Sequence, residues 1–175
     1  MIYPGKELEI FDDAKIFRYY THSLIKKYLH GNICEVGAGL GSFTRQYVNK
    51  KNKIFLSDLD PHNLKVLKKK FSKYKNITIV KEKTKKINYK FDTILYLNVL
   101  EHIKNDCKEI EIALDKLKPN GHLIFLVPAH QKLYTKFDKA IGHFRRYNID
   151  FFKKNKPKKL TINRLVYLDL VGYFL

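Results

Sequence analysis

The amino-acid sequence predicts a doubly wound α/β domain, and three observations lead there. Short apolar runs of strand length alternate with stretches whose apolar residues recur at helical spacing. A glycine-rich turn, Gly37-Ala-Gly-Leu-Gly41, directly follows the first run. An acid, Asp58, closes the second run about 20 residues further on, the spacing of a nucleotide-binding first turn. Strands separated by helices pair in parallel through right-handed crossovers.

Along the chain, Ala14, Phe17, Tyr20, Leu24, Ile25 and Tyr28 mark an amphipathic helix between Phe11 and Leu29, stopped by Gly31-Asn32. Ile33–Val36 is the first strand, and a helix from about Ser42 to Val48 follows the glycine turn. Lys53–Leu59 is the second strand. Asp60-Pro61 then opens a helix, with the acid as N-cap and proline at the first helical position. Leu64, Leu67 and Phe71 form that helix's buried face. Ile77–Val80 and Phe91–Leu97 are the third and fourth strands. A helix carrying Ile110, Ala113, Leu114 and Leu117 leads through the turn Pro119-Asn-Gly121 to a fifth strand, His122–Val127. A short helix near Lys132–Ala140, a polar stretch at Gly142–Asn148 and a strand at Leu160–Asp169 complete the expectation.

The 175 residues suit one domain, 1–175, with a leading helical segment (1–30), a cofactor-binding core (31–130) and an acceptor-side segment (131–175). The apolar content excludes a disordered chain. Two cysteines, Cys34 and Cys107, are too few for a disulfide scaffold and have no metal-ligand spacing. Neither a signal peptide nor a membrane-length apolar run is evident, so a cytoplasmic protein is expected. The charge is unusual: 35 Lys+Arg against 17 Asp+Glu gives +18. Such a field attracts nucleic acid, anionic lipid or phosphorylated substrates. The lysines are nevertheless spread from Lys50 to Lys159, and Lys, Asn and Ile are abundant together, as AT-rich coding produces.

Glycine accepts positive φ and leaves no Cβ between chain and ligand, so a cofactor can lie against Gly37, Ala38, Gly39 and Gly41. Asp58 is placed to accept hydrogen bonds from a ribose diol. Dinucleotide enzymes favour G-x-G-x-x-G/A, whose third position would fall on Ser42. Here the turn closes one residue earlier, and Glu35 precedes the first glycine by two. A carboxylate there suits a ligand bearing ammonium and sulfonium groups better than an anionic pyrophosphate, which favours methyl over hydride transfer.

Glu35-Val-Gly-Ala-Gly-Leu-Gly-Ser-Phe-Thr44, Ser57-Asp-Leu-Asp-Pro61 and Phe91-Asp92 through Leu97-Asn-Val-Leu-Glu-His-Ile103 resemble the motifs of class I S-adenosylmethionine-dependent methyltransferases. The N-V-L-E-H form resembles their small-molecule branch, which includes quinone-biosynthesis enzymes. Leu117-Lys-Pro-Asn-Gly121 is similar to the usual L-K-P-G-G turn. Val127-Pro-Ala, Leu133-Tyr134, Asp138 and Gly142-His-Phe-Arg-Arg-Tyr147 resemble a narrower bacterial subgroup associated with sugar or cell-envelope pathways. The resemblance implies a Rossmann-like sheet, S-adenosylmethionine as cofactor and S-adenosylhomocysteine as product. Glu35 and the glycines would line its methionine and ribose portions, and Asp58 would hold the ribose. Leu59 would pack on adenine, and Asn98 would face the methionine or sulfonium end. Glu82 is the nearest acid after the third strand, and Tyr19 and Tyr20 are either cofactor-covering or core aromatics. The family closes its sheet with a sixth strand and an antiparallel seventh. Here the chain stops soon after the expected sixth, so it is short, truncated, or completed by a partner or a second copy.

Methyl transfer needs alignment and, for some acceptors, a base. His102, just past the fourth strand, and His143 are the candidate bases. Glu101 and His102 are adjacent without further clustered ligands, so no metal is expected. Arg145, Arg146 and Tyr147 are acceptor-side candidates; the arginines suit an acceptor carboxylate or phosphate, or else pin the loop to acids such as Asp138. Lys153–Lys159 is a solvated basic segment or a contact for anionic membrane. The expected acceptor is a small or lipid- or sugar-linked molecule. An RNA methyltransferase and a non-catalytic relative are the rivals; against the first, neither an RNA-recognition motif nor an N-P-P-Y tetrapeptide is present.

Overall fold

Parallel pairing of the apolar runs is what the structure shows. The computed structural model describes residues 14–168. Five strands, β1 (Asn32–Val36), β2 (Lys53–Ser57), β3 (Ile77–Val80), β4 (Phe91–Leu97) and β5 (Leu117–Leu126), form one sheet in the order β3-β2-β1-β4-β5. Every pairing is parallel, with Ile33 beside Ile54 and Thr93, and Ile54 beside Ile77. The order reverses between β1 and β4, which places the switch point beside the glycine turn.

Successive residues of the central strands feed two cores. Ile33, Ile54, Leu56 and Leu95 pack with Phe43, Tyr47, Leu67 and Phe71 on one face. Cys34, Val36, Ile94 and Tyr96 pack with Phe91, Ala113 and Leu117 on the other. Both faces are covered, so the strands read as nearly continuous apolar runs.

The helices are α1 (Lys15–Ile25), α2 (Thr44–Tyr47), α3 (Pro61–Lys70), α4 (Asp106–Lys116), α5 (Lys136–Ala140) and α6 (Ile149–Asn155). Asp60 caps α3 by accepting from the His62 amide, with Pro61 at the first position, as expected. Of the leading helix expected over Phe11–Leu29, the described part runs Lys15–Ile25 and ends in a 3-10 turn at Lys26–Tyr28, while Phe11 lies outside the described residues. Its aromatics are not core: Tyr19 is 70% exposed and Tyr20 45%. The expected Ser42–Val48 helix is a single turn because Asn49 folds the chain back, its side chain accepting from the Lys51 and Asn52 amides. Leu117 begins β5 rather than ending α4, and Pro119–Gly121 lies within β5 as an irregularity with Asn120 at positive φ.

Two expectations beyond β5 need correction. The short helix near Lys132–Ala140 divides into a 3-10 turn at Gln131–Leu133 and α5, which Thr135 and Asp138 start as a capping box. Residues 160–168 form no strand; Asp169 lies outside the described residues. This segment is tied by contacts other than a ladder: the Ile149 amide donates to the Tyr167 hydroxyl, and Tyr167 stacks on His130. The β-branched Thr161, Ile162 and Val166 and the aromatic Tyr167 suit a pleated surface, but a strand exists only where a neighbour accepts its ladder. The helix α6, with Phe151 and Phe152 packed around Tyr147, takes part of the space beside β5.

Candidate active site

At the carboxyl end of β1 the chain turns through Gly37, Gly39 and Gly41, all at positive φ (64°, 54° and 69°). That conformation suits glycine, and two of these positions also demand it by packing. A Cβ on Gly37 would lie 2.6 Å from a Val99 methyl, and one on Gly41 2.5 Å from the Phe71 ring. The missing side chains therefore face protein, while the turn is held by Ala38 N–H to Ser57 O (3.0 Å) and Gly41 N–H to Ala38 O (2.9 Å).

Asp58 lies at the end of β2 and is buried. Its carboxylate accepts from the amides of Gly39 and Asp60, each at 2.8 Å, and faces the Asn63 amide at 3.4 Å. The acid and the glycine turn are thus one unit. Burial raises the Asp58 pKa, against the pull of those hydrogen bonds. Glu35 is also buried, beneath the turn, where the hydroxyls of Tyr47 (2.6 Å) and Thr44 (2.7 Å) donate to its Oε2. Burial pushes its pKa up to about 7, with the two hydroxyls pulling it down and Asp58 adding to the rise. Leu59 is 36% exposed beside Asp58. Asn98, just past β4, takes φ 54° and donates its amide to Leu126 O, a constrained backbone of the sort found at ligand sites. Glu82 approaches β2 through its carbonyl, which accepts from the Ser57 hydroxyl.

A second cluster lies after β4 and is built from two distant segments. The Phe144 amide donates to Glu101 O at 2.8 Å, locking the Gly142–Tyr147 stretch onto the turn that follows β4. Glu101 is 1% exposed, and burial, with Asp138 adding, pushes its pKa up to about 8. His102 and His143 meet edge to face, ring centroids 4.6 Å apart. His143 Nδ1 is 3.0 Å from Asp138 Oδ1.

The acceptor-side candidates turn inward. Arg146 makes a bidentate pair with Asp138, Nε at 2.8 Å and Nη2 at 2.9 Å. Arg145 bonds the Asp106 carboxylate and donates to Lys104 O at 2.8 Å. Tyr147 is buried, its hydroxyl 3.0 Å from Asp106 Oδ2 and 3.1 Å from Leu100 O. Of the alternatives for the arginines, pinning the loop is what these contacts do. A groove of about 1150 Å3 runs along the outer edge of β5, lined among others by Phe17, Thr21, Asn98, Phe125 and His130. It reaches Asn98 but is not bounded by the glycine turn or Asp58.

Sequence reasoning missed the partners of Glu35. Thr44 and Tyr47 lie three residues apart on α2, one face of one turn, which is the signal that could have found them. It also missed Glu101 as the third member with both histidines, because that meeting depends on a fold-back no spacing reveals.

A parallel sheet whose central strands end in a glycine turn, a buried acid and a constrained asparagine defines an α/β domain built to hold a nucleotide-like ligand. The chain belongs to a methyltransferase-domain family, whose model matches residues 13–155. Two curated relatives, both named ribosomal RNA small subunit methyltransferase A, match shorter stretches. The one from Levilactobacillus brevis is 34% identical over 59 residues (34% of this chain, 20% of the relative), and that from Staphylococcus haemolyticus 32% over 80 (46% and 25%). The matches span a fifth to a quarter of those relatives. Among solved structures, N-methyltransferase NodS from Bradyrhizobium japonicum, in complex with S-adenosylhomocysteine, superposes with TM-score 0.62 at 17% identity, covering 77% of this chain and 68% of that one. Phosphoethanolamine N-methyltransferase 2 from Haemonchus contortus, in complex with S-adenosylmethionine, gives 0.66 at 17% identity, over 78% and 35%. At such identities these likenesses establish the fold.

Proposed function

We propose that this chain transfers the methyl group of S-adenosylmethionine to a small or lipid- or sugar-linked acceptor. The observation that carries the reading is the unit formed by the glycine turn and Asp58, with Glu35 buried below it, in a methyltransferase-family domain. The residues fit the cofactor's chemistry. Burial disfavours the ionised forms of both Glu35 and Asp58, and an ammonium or sulfonium near them supplies the missing counter-charge. Asp58 accepts from the ribose hydroxyls, Leu59 covers the adenine, and the Asn98 backbone borders the methionine end. When bound, the cofactor supplies an activated methyl group on sulfonium. The protein's work is to align the acceptor and, where the acceptor is protonated, to take its proton on His102 or His143. Arg145, Arg146 and Tyr147 shape the acceptor wall by holding its loop. Among the described residues no helix is long and apolar enough to cross a membrane, and a cytoplasmic protein that touches anionic membrane through Lys153–Lys159 fits the charge.

A second reading is ribosomal RNA methylation, favoured by the curated relatives and by the net charge of +18. Incubation with radiolabelled S-adenosylmethionine separates the two. Label transferred to amines, phenols or phosphoamines, unaffected by ribonuclease, supports the small acceptor. Label appearing only in RNA, with binding that weakens steeply as salt rises, moves the function to the second reading.

A further inference from the structure

We infer that Glu101, His102 and His143 form a binding site for one divalent transition-metal cation of the zinc type, at the carboxyl end of β4. One ligand atom from each of the three lies within 4.8 Å of the others. Adjacent Glu101 and His102 could not suggest this alone; the fold supplies the third ligand from 41 residues away.

Glu101 makes the strongest case. Its side chain is 1% exposed, and neither carboxylate oxygen has a hydrogen-bond partner among the described residues. A buried carboxylate left so is expensive, and it is resolved by a proton or a cation. His143 Nε2 lies 3.9 Å from its Oε1. That separation is too long for a hydrogen bond. Two ligands of one tetrahedral zinc, at bonds of about 2.0–2.2 Å, lie about 3.4 Å apart, so a closing of about half an ångström would bring this pair onto a shared ion.

His143 is prepared for the same role. Its Nδ1 faces Asp138 Oδ1 at 3.0 Å, and Asp138 is held as a carboxylate by Arg146 and by the amide and hydroxyl of Thr135. The proton of the neutral ring therefore sits on Nδ1, and the Nε2 lone pair points toward Glu101. A carboxylate behind the histidine is the usual outer support of a metal-bound imidazole. Gly142, at φ 89°, turns the chain so that His143 arrives beside His102; a Cβ there would lie 3.6 Å from His102 Nδ1. Two imidazoles and one carboxylate suit zinc, or iron(II), and leave coordination positions open.

Binding of the metal does not depend on the methyl-transfer reading. What it would do there does. With both histidines on the metal, an acceptor hydroxyl in an open position would lose its proton to solvent water more readily, and its oxygen would attack the cofactor's methyl carbon as the carbon–sulfur bond breaks, leaving the methyl ether and the neutral thioether product.

The test uses the whole chain, stripped with chelator, titrated with Zn2+ by calorimetry and with Co2+ by visible absorption, with S-adenosylhomocysteine binding measured on the same samples. One zinc per chain, and cobalt bands of a four- or five-coordinate site, are expected. Glu101→Gln and His143→Gln should each weaken binding at least tenfold, and Asp138→Asn about tenfold. Glu101→Gln should fold, since the carboxylate has no hydrogen bond to lose; His102→Gln serves as a second ligand variant. Absence of stoichiometric metal, or equal affinity in the ligand variants, overturns the inference and leaves a proton shared between Glu101 and His143. If S-adenosylhomocysteine still binds in that case, the functional reading stands without the metal.

Discussion

Replacing Asp138 by asparagine keeps the side chain's size and removes its charge. In the wild-type structure five donors converge on this carboxylate: Arg146 Nε and Nη2, the Thr135 amide and hydroxyl, and His143 Nδ1. Asp138 is 1% exposed, although Arg146 keeps 23% of its side chain in solvent. An exposed pair would contribute at most about 1 kcal/mol. Burial of the acid decides the matter, because an asparagine amide would face donors with another donor and leave Arg146 without its counter-charge. Breaking a buried pair from one side costs about 3–5 kcal/mol, and partial exposure of Arg146 argues for the lower end. In a chain of this size about 3 kcal/mol lowers Tm by roughly 6–12 °C. The pH dependence has a definite sign. Burial raises the Asp138 pKa, but Arg146, Thr135 and His143 outweigh it and hold the carboxyl well below the usual range. Its contribution is complete above the unfolded value of about 3.9 and is lost as pH falls toward the folded one. Urea denaturation followed by circular dichroism at pH 7 should show the full deficit, and the gap should narrow below about pH 4. A loss under about 1 kcal/mol at pH 7, or a gap independent of pH, would refute the view that Asp138 anchors the loop.

Glu35, whose pKa burial raises to about 7, binds more protons folded than unfolded between about pH 4.5 and 7, so wild-type stability falls as pH rises through that window. Glu35→Gln should flatten the profile and close an upper bound of about 3 kcal/mol above pH 7; an unchanged slope in thermal melts counts against it. Gly41→Ala drives a Cβ into Phe71 and Leu67 at positive φ and should destabilise by about 2 kcal/mol or more in chemical denaturation, whatever the ligand present. If Gly41→Ala leaves stability intact and lowers only cofactor affinity, the glycine faces the ligand and not the core. Tyr147→Phe, removing a buried hydroxyl from Asp106, should lower stability by about 1 kcal/mol in the same assay.

The sheet was legible because both its faces are covered, which turns Ile33–Val36, Lys53–Ser57 and Phe91–Leu97 into apolar runs that few other structures accommodate. Asp60-Pro61 was legible because capping is local. The glycine turn and Asp58 could be placed together from spacing, and the hydrogen bond between Gly39 and Asp58 joins them. Reading failed where an outcome depends on a distant neighbour. Residues 160–168 are rich in apolar and β-branched residues like a strand yet have no ladder among the described residues, while Ile149–Asn155, five of whose seven residues are apolar or lysine, becomes helical by packing its phenylalanines on Tyr147. The leading helix's apolar stripe is only partly buried: Ile25 packs against the core, but Phe17 is 42% and Tyr20 45% exposed, so periodicity gave the helix but not its full burial. Arg145 and Arg146 could be read as acceptor ligands or as struts, and only the positions of Asp106 and Asp138 decide between them.

The most direct test of the account is calorimetric titration of the purified chain with S-adenosylmethionine and S-adenosylhomocysteine, repeated on Asp58→Ala. Micromolar binding, weakened at least tenfold in the variant, or by about 1.4 kcal/mol, is the predicted result. A folded chain that gives neither heat nor thermal stabilisation with either ligand, or a variant that binds as tightly as wild type, would contradict the cofactor site and the function drawn from it.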